Sequence, residues 1–215
     1  MSEAVVFRST DSLELEGAID EAPDPRGVVV FCHPHPKDGG TMNAPLLEAV
    51  SESLVAAAWN VVRFNFRGVG ASDGTSGDGT AEVADAQGAL SFARERFGSL
   101  ATVLGGWSFG ASVAVRTATD QDVAAVIAIA PPVEGRTGYS VGLPQTVDLD
   151  VPLLVISGAN DKQTAPDQQR EWAARNRARY IELRGANHFF WGKYDDLAGA
   201  ITSFLEQRPH GQAST

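Results

Sequence analysis

The chain has 215 residues, 43% hydrophobic and 20% charged, enough for one full core and short for two domains. Lys and Arg number 17 against 27 Asp and Glu, a net charge of -10, so nucleic acid and anionic membranes are not expected as partners. Cys32 is the only cysteine, which permits no intrachain disulfide; with no basic-then-apolar leader and no bilayer-length apolar run, the expected location is cytoplasmic.

Residues 5–8 and 13–19 read as two opening strands, the second alternating apolar residues with Glu14 and Glu16 as in a half-exposed edge hairpin. The unbroken apolar run over 28–32 predicts a strand covered on both faces, with Cys32 as a small buried hydrophobe at its end. A helix is expected over 44–58, where Leu46, Leu47, Val50, Leu54 and Val55 fall on one face, and a strand over 61–66. Thr80 is the expected N-cap of a helix over 81–97, with Glu82 and Asp85 early and Arg94 and Arg96 late, as the helix dipole favours. A short strand over 101–105 leads into a glycine-flanked turn, and small residues from Ala111 open the next helix. Strands over 123–130, 153–157 and 180–183 follow, with a helix over 166–177, a final amphipathic helix over 194–206 and a frayed tail over 207–215. The alternation predicts a single α/β domain with a mostly parallel sheet, helices on both faces and ligand sites beyond the carboxyl ends of the strands.

The strongest motif is Gly106-Trp107-Ser108-Phe109-Gly110 between that strand and helix, the arrangement that presents a nucleophilic serine at the apex of a tight turn. Serine needs an imidazole to take its proton and, usually, a carboxylate to fix the imidazole tautomer. His188 follows the last predicted strand and Asp161 follows the strand over 153–157, so both fall on the same carboxyl edge as Ser108. The chain order Ser, Asp, His is that of α/β-hydrolases. An Asx turn or cap is the competing reading of Asp161. Asp150 precedes its strand and Asp167 opens a helix, so neither suits the carboxylate role, and His210 in the tail is the better surface histidine.

The backbone NH of Phe109, next to the serine, is the first expected oxyanion donor. The second should come from His33-Pro34-His35-Pro36; proline has no NH, which leaves His35, with Lys37 as the alternative. His33 can satisfy loop backbone groups, and His33 with His35 as a metal pair lacks a third ligand, so neither metal nor cofactor is expected. The glycines of residues 67–72 read as structural turns, since they lack the lysine of a P-loop and the dinucleotide fingerprint. Trp107, Met42, Phe189 and Trp191 are the expected lining of a substrate pocket.

On these residues the chain resembles a small α/β-hydrolase, and is similar to the compact bacterial group known as predicted α/β-superfamily hydrolases. The resemblance spans nearly the whole chain. It rests on His33-Pro34-His35-Pro36 with Gly39-Gly40-Thr41-Met42, on residues 64–72, on Gly106 to Gly110, and on the loops of Asp161 and His188. Dienelactone hydrolases are similar in size and layout but carry a cysteine nucleophile where this chain has Ser108. The resemblance implies an α/β-hydrolase fold with an eight-stranded sheet. It also implies that a lid, when present, follows the sixth strand; here residues 131–150, rich in proline and glycine, leave room for a minimal cap or none, hence an open cleft. The expected chemistry is hydrolysis of a small-molecule ester or thioester through an acyl-enzyme, with a peptidase or amidase, or a non-catalytic binding protein on the same fold, as alternatives.

Overall fold

A computed structural model describes residues 2–207, so the expected tail and His210 lie, Gln207 apart, outside the described residues. Among the described residues, eight strands form one sheet. In chain order the elements are β1 (Glu3–Arg8), β2 (Glu14–Asp20), β3 (Gly27–Cys32), α1 (Pro45–Ala56), β4 (Asn60–Phe64), α2 (Glu82–Phe97), β5 (Ala101–Trp107), α3 (Phe109–Ala118), β6 (Ala125–Ile129), β7 (Leu153–Gly158), α4 (Pro166–Arg175), β8 (Arg179–Leu183) and α5 (Tyr194–Glu206). The spatial order is β1-β2-β4-β3-β5-β6-β7-β8. Only β2 pairs antiparallel, with β1 and with β4; every other pairing is parallel.

The apolar run of β3 is buried throughout because both faces are covered. Val28, Val30 and Cys32 pack with α2, α3 and α4, while Val29 and Phe31 pack with α1 and α5. β2 is not an edge: its side-chain alternation is real, yet Glu16 serves the structure by accepting from Asn65 Nδ2 (2.7 Å) and the Ala71 NH (2.9 Å). Together with the buried Arg67–Asp85 ion pair (2.7 Å), these bonds shape the turn over 67–72.

Several boundaries differ from expectation, each for a local reason. β4 ends at Phe64 because the Asn65 NH turns to Glu16 O and the Phe66 NH to the His33 ring. β5 runs on to Trp107, whose partner is Ile129 on β6. α2 begins at Glu82, not at a Thr80 cap: the Thr80 NH is held by Asp78 Oδ1 (3.0 Å), and the buried Glu82 carboxylate reaches back to the NH groups of Gly77 (2.6 Å) and Gly79 (2.9 Å). An unforeseen 3-10 helix, Pro36–Asp38, follows the His-Pro-His-Pro loop. Residues 131–150 form no helix; the Arg136–Ser140 bridge closes a small turn there.

Candidate active site

The parallel sheet gathers four loops at one edge. Cys32 lies opposite Gly106, so the loop after β3 runs beside the serine turn that follows β5. That closeness is possible only with glycine at both flanks. A Cβ on Gly110 would sit 2.3 Å from Cys32 O, and one on Gly106 would sit 2.2 Å from Gly110 O. Ser108 itself has φ 55° and ψ −119°, a strained conformation for a residue with a side chain.

Ser108 Oγ lies 3.1 Å from His188 Nε2, and His188 Nδ1 lies 2.8 Å from Asp161 Oδ2. A carboxylate only accepts, so the Nδ1 proton donates to Asp161 and leaves the Nε2 lone pair facing the serine hydroxyl. Asp161 divides its two oxygens. Oδ1 accepts from the NH groups of Gln163 (2.7 Å) and Thr164 (2.9 Å), the Asx turn that competed with the functional reading. Oδ2 meets His188 and the Thr164 hydroxyl (2.7 Å). Burial raises the Asp161 pKa, but these bonds and the adjacent imidazole outweigh it and hold the carboxyl below its ordinary value.

Sequence reasoning missed the support behind Asp161. Thr164 Oγ1 also accepts from Gln169 Nε2 (2.7 Å), and Gln169 Oε1 accepts from the Ser157 hydroxyl, all of it buried. The three-residue step from Asp161 to Thr164 is the one sequence signal of this chain, since it is the spacing of a local turn; Ser157 and Gln169 carry none. Trp107 is largely buried and donates from Nε1 to His188 O (3.1 Å), so it holds the histidine loop as well as bordering the cleft.

Phe109 and His35 line the same cleft as Ser108 and His188, and their NH groups have no protein acceptor among the described residues. The Lys37 NH, the alternative donor, is instead bonded to His35 Nδ1 (3.1 Å). His35 Nε2 donates to Tyr139 O (2.8 Å), and the Tyr139 ring stacks on the imidazole at 4.1 Å. Burial and the Asp38 carboxylate that its hydroxyl donates to push the Tyr139 phenol up to about 12. His33 donates from Nδ1 to Pro34 O (2.6 Å) and accepts the Phe66 NH at Nε2 (3.0 Å), so the ring nitrogens of both histidines are committed to backbone groups. Among the described residues no three His, Cys, Asp or Glu side chains converge in a metal-holding group.

Burial lowers the His33 pKa from 6.5 to about 4, with the adjacent His35 acting in the same direction. Between those values the unfolded chain binds a proton that the folded chain refuses, so stability falls as pH falls. The loss should reach about 3 kcal/mol by pH ~4. Asp161, with its lowered pKa, adds to the loss in the same direction at the acid end. Urea denaturation at successive pH values checks this; stability that stays flat between pH ~6.5 and ~5 would rule out a buried neutral His33.

The cleft over Ser108 has a volume of about 1350 Å³, with Trp107, Phe189 and Trp191 on its border. Met42 is a correction. It is buried outside the lining, with its NH on Asn65 Oδ1 (2.8 Å) and its carbonyl on Arg63 Nη1 (2.9 Å), while its neighbours Thr41 and Asn43 reach the cleft.

Fold and site together define the class of α/β hydrolases without a lid domain. The family described as Serine aminopeptidase, S33 matches residues 23–147, and the chain belongs to it. An α/β serine hydrolase homologue from Coxiella burnetii superimposes with a TM-score of 0.83 at 30% identity, covering 94% of this chain and 97% of that one. XC6422 from Xanthomonas campestris, described as an α/β serine hydrolase without lid, has a TM-score of 0.83 at 28% identity, with 96% and 94% covered. An uncharacterized protein of Rickettsia prowazekii is 29% identical over 201 residues, which cover 89% of this chain and 84% of the relative. No helix of the described residues is long and apolar enough to cross a membrane.

Proposed function

We propose that the protein is a serine carboxylesterase acting on small, accessible esters or thioesters. The observation that carries this reading is the hydrogen-bonded series from Ser108 through His188 to Asp161, opening on a cleft beside two unengaged backbone NH groups. Ser108 Oγ attacks the carbonyl carbon as its proton passes to His188 Nε2. The carbonyl oxygen becomes the oxyanion and accepts from the NH groups of Phe109 and His35. Collapse expels the alcohol or thiol, which takes the proton from His188, and leaves an acyl-serine. Water then repeats the attack with His188 as base, which releases the acid and restores Ser108. Tyr139 and the prolines fix the His35 loop before charge develops, which is the condition for oxyanion stabilisation. The lack of a helical cap over 131–150 supports a modest acyl group rather than a long chain that needs a closed tunnel.

The family's description supports peptidase chemistry as a second reading, for which the exposed Glu134 at the cleft is the available partner of a substrate ammonium group. Turnover of p-nitrophenyl acetate, butyrate, octanoate and laurate, of an acetyl thioester, and of aminoacyl anilides separates the readings. Acetate and butyrate should be cleaved fastest, thioesters comparably and anilides least. Faster cleavage of the anilides would move the assignment to a peptidase. Inertness to every substrate and to a fluorophosphonate, in folded protein, would favour a binding role.

A further inference from the structure

The large hydrophobic side chains left exposed among the described residues are Val6, on the edge strand β1, and Trp191, which is 67% exposed. Trp191 borders the cleft. It lies in the turn that carries His188, and that turn is built to keep it outside. Phe190 adopts φ 53° and is fully buried in the core, while Gly192 adopts φ 68°. The Phe190 NH bonds to Asn187 O (3.1 Å), and the Lys193 NH bonds to Phe190 O (2.9 Å). A left-handed conformation is unfavourable for a bulky aromatic residue, and strain of this kind gathers where a site requires it. The outcome here is a stack: the rings of Phe189 and Trp191 lie 4.8 Å apart at 14°. The Phe189 ring in turn stands edge-on to His188, at 5.6 Å and 89°. An aromatic surface therefore leads from the imidazole outward to the exposed tryptophan.

The chemistry says which half of a substrate meets this surface. The oxyanion faces the NH groups of Phe109 and His35. The departing oxygen must reach the proton on His188 Nε2, so the alcohol half of the ester lies on the His188 side. We propose that Trp191, backed by the Phe189 ring stacked against it, forms a stacking platform for an aromatic ring in the alcohol half of the substrate, so that the preferred substrates are esters of arylmethyl-type alcohols. The proposal rests on the esterase reading above. Trp191 acts as a specificity residue through ground-state contact and takes no part in the bond-breaking steps.

The test compares benzyl acetate with cyclohexylmethyl acetate, which match in size and closely in leaving group but differ in the flat π surface. Wild-type enzyme should favour the benzyl ester by roughly three- to tenfold in kcat/KM, carried mainly by KM. In Trp191→Ala the ratio should fall to about one, and Trp191→Phe should retain part of it. A ratio between two substrates is not moved by partial misfolding of a variant. Methyl phenylacetate against methyl cyclohexylacetate probes the acyl half and should show no preference that depends on Trp191. Hydrolysis without a Trp191-dependent benzyl preference, or with that preference on the acyl half, overturns the platform and leaves the esterase reading standing. Failure to hydrolyse any ester overturns both.

Discussion

Ser108→Ala is expected to lower kcat on p-nitrophenyl acetate by about 10⁵- to 10⁶-fold and to abolish fluorophosphonate labelling. The hydroxyl is placed by the backbone, since the turn fixes Ser108 at φ 55° and its NH is held by Ile129 O at 2.8 Å. Alanine keeps that backbone bond and the volume of the β-carbon, so the fold and the NH groups of Phe109 and His35 remain. The residual rate should therefore exceed that of water, because oxyanion stabilisation and substrate binding survive the loss of the nucleophile. Steady-state kinetics with circular dichroism separates loss of chemistry from loss of structure. Equal labelling of variant and wild type would remove Ser108 as the nucleophile.

For Asp161→Asn a loss of about 10⁴-fold in kcat is expected, and the hydrogen bonds give the reason. The NH groups of Gln163 and Thr164 both point at Oδ1, so the amide oxygen of asparagine is held there. The amide NH₂ must then occupy the place of Oδ2 and face His188 Nδ1 as a donor. The imidazole answers by accepting at Nδ1 and carrying its proton on Nε2, where it meets Ser108 Oγ with a proton instead of a lone pair. The three side chains stay in position and the wrong tautomer results. The ¹⁵N shifts of the His188 ring, measured with the rate, would report the change. Full activity in this variant would dismiss Asp161 from the mechanism.

What could be read from the sequence was what depends on local pattern and on the sheet. The apolar run of β3 and the alternation of strand and helix are local, and a parallel sheet sends every carboxyl end to one edge. That is why Ser108, Asp161 and His188, far apart in the chain, all fall at that edge, within hydrogen-bonding distance in series. Side-chain direction within a loop is another matter. Met42 shares a glycine-flanked run with cleft residues, yet its backbone is fixed by Asn65 and Arg63 from β4 and the loop after it, contacts that no local pattern encodes. Tyr139 reaches His35 across a long irregular segment whose path depends on the Arg136–Ser140 turn. The bond from the Lys37 NH to the His35 ring depends on the path of the loop and carries no sequence signal. Thr80 does not cap α2: Ala81 stands at the N-cap with no side-chain bond, while the Thr80 NH is held by Asp78 and the NH groups of Gly77 and Gly79 by Glu82, loop contacts that no capping pattern encodes.

The backbone strain at Ser108 sets two selective pressures against each other at one codon. A side chain held at φ 55° and ψ −119° costs about 1–3 kcal/mol, a conformation that glycine adopts freely. Replacement by glycine would relieve the strain and discard the hydroxyl together. On the esterase reading, any laboratory evolution that rewards thermostability without demanding turnover is thereby drawn toward an inert protein at this position, so the two demands have to be imposed at once.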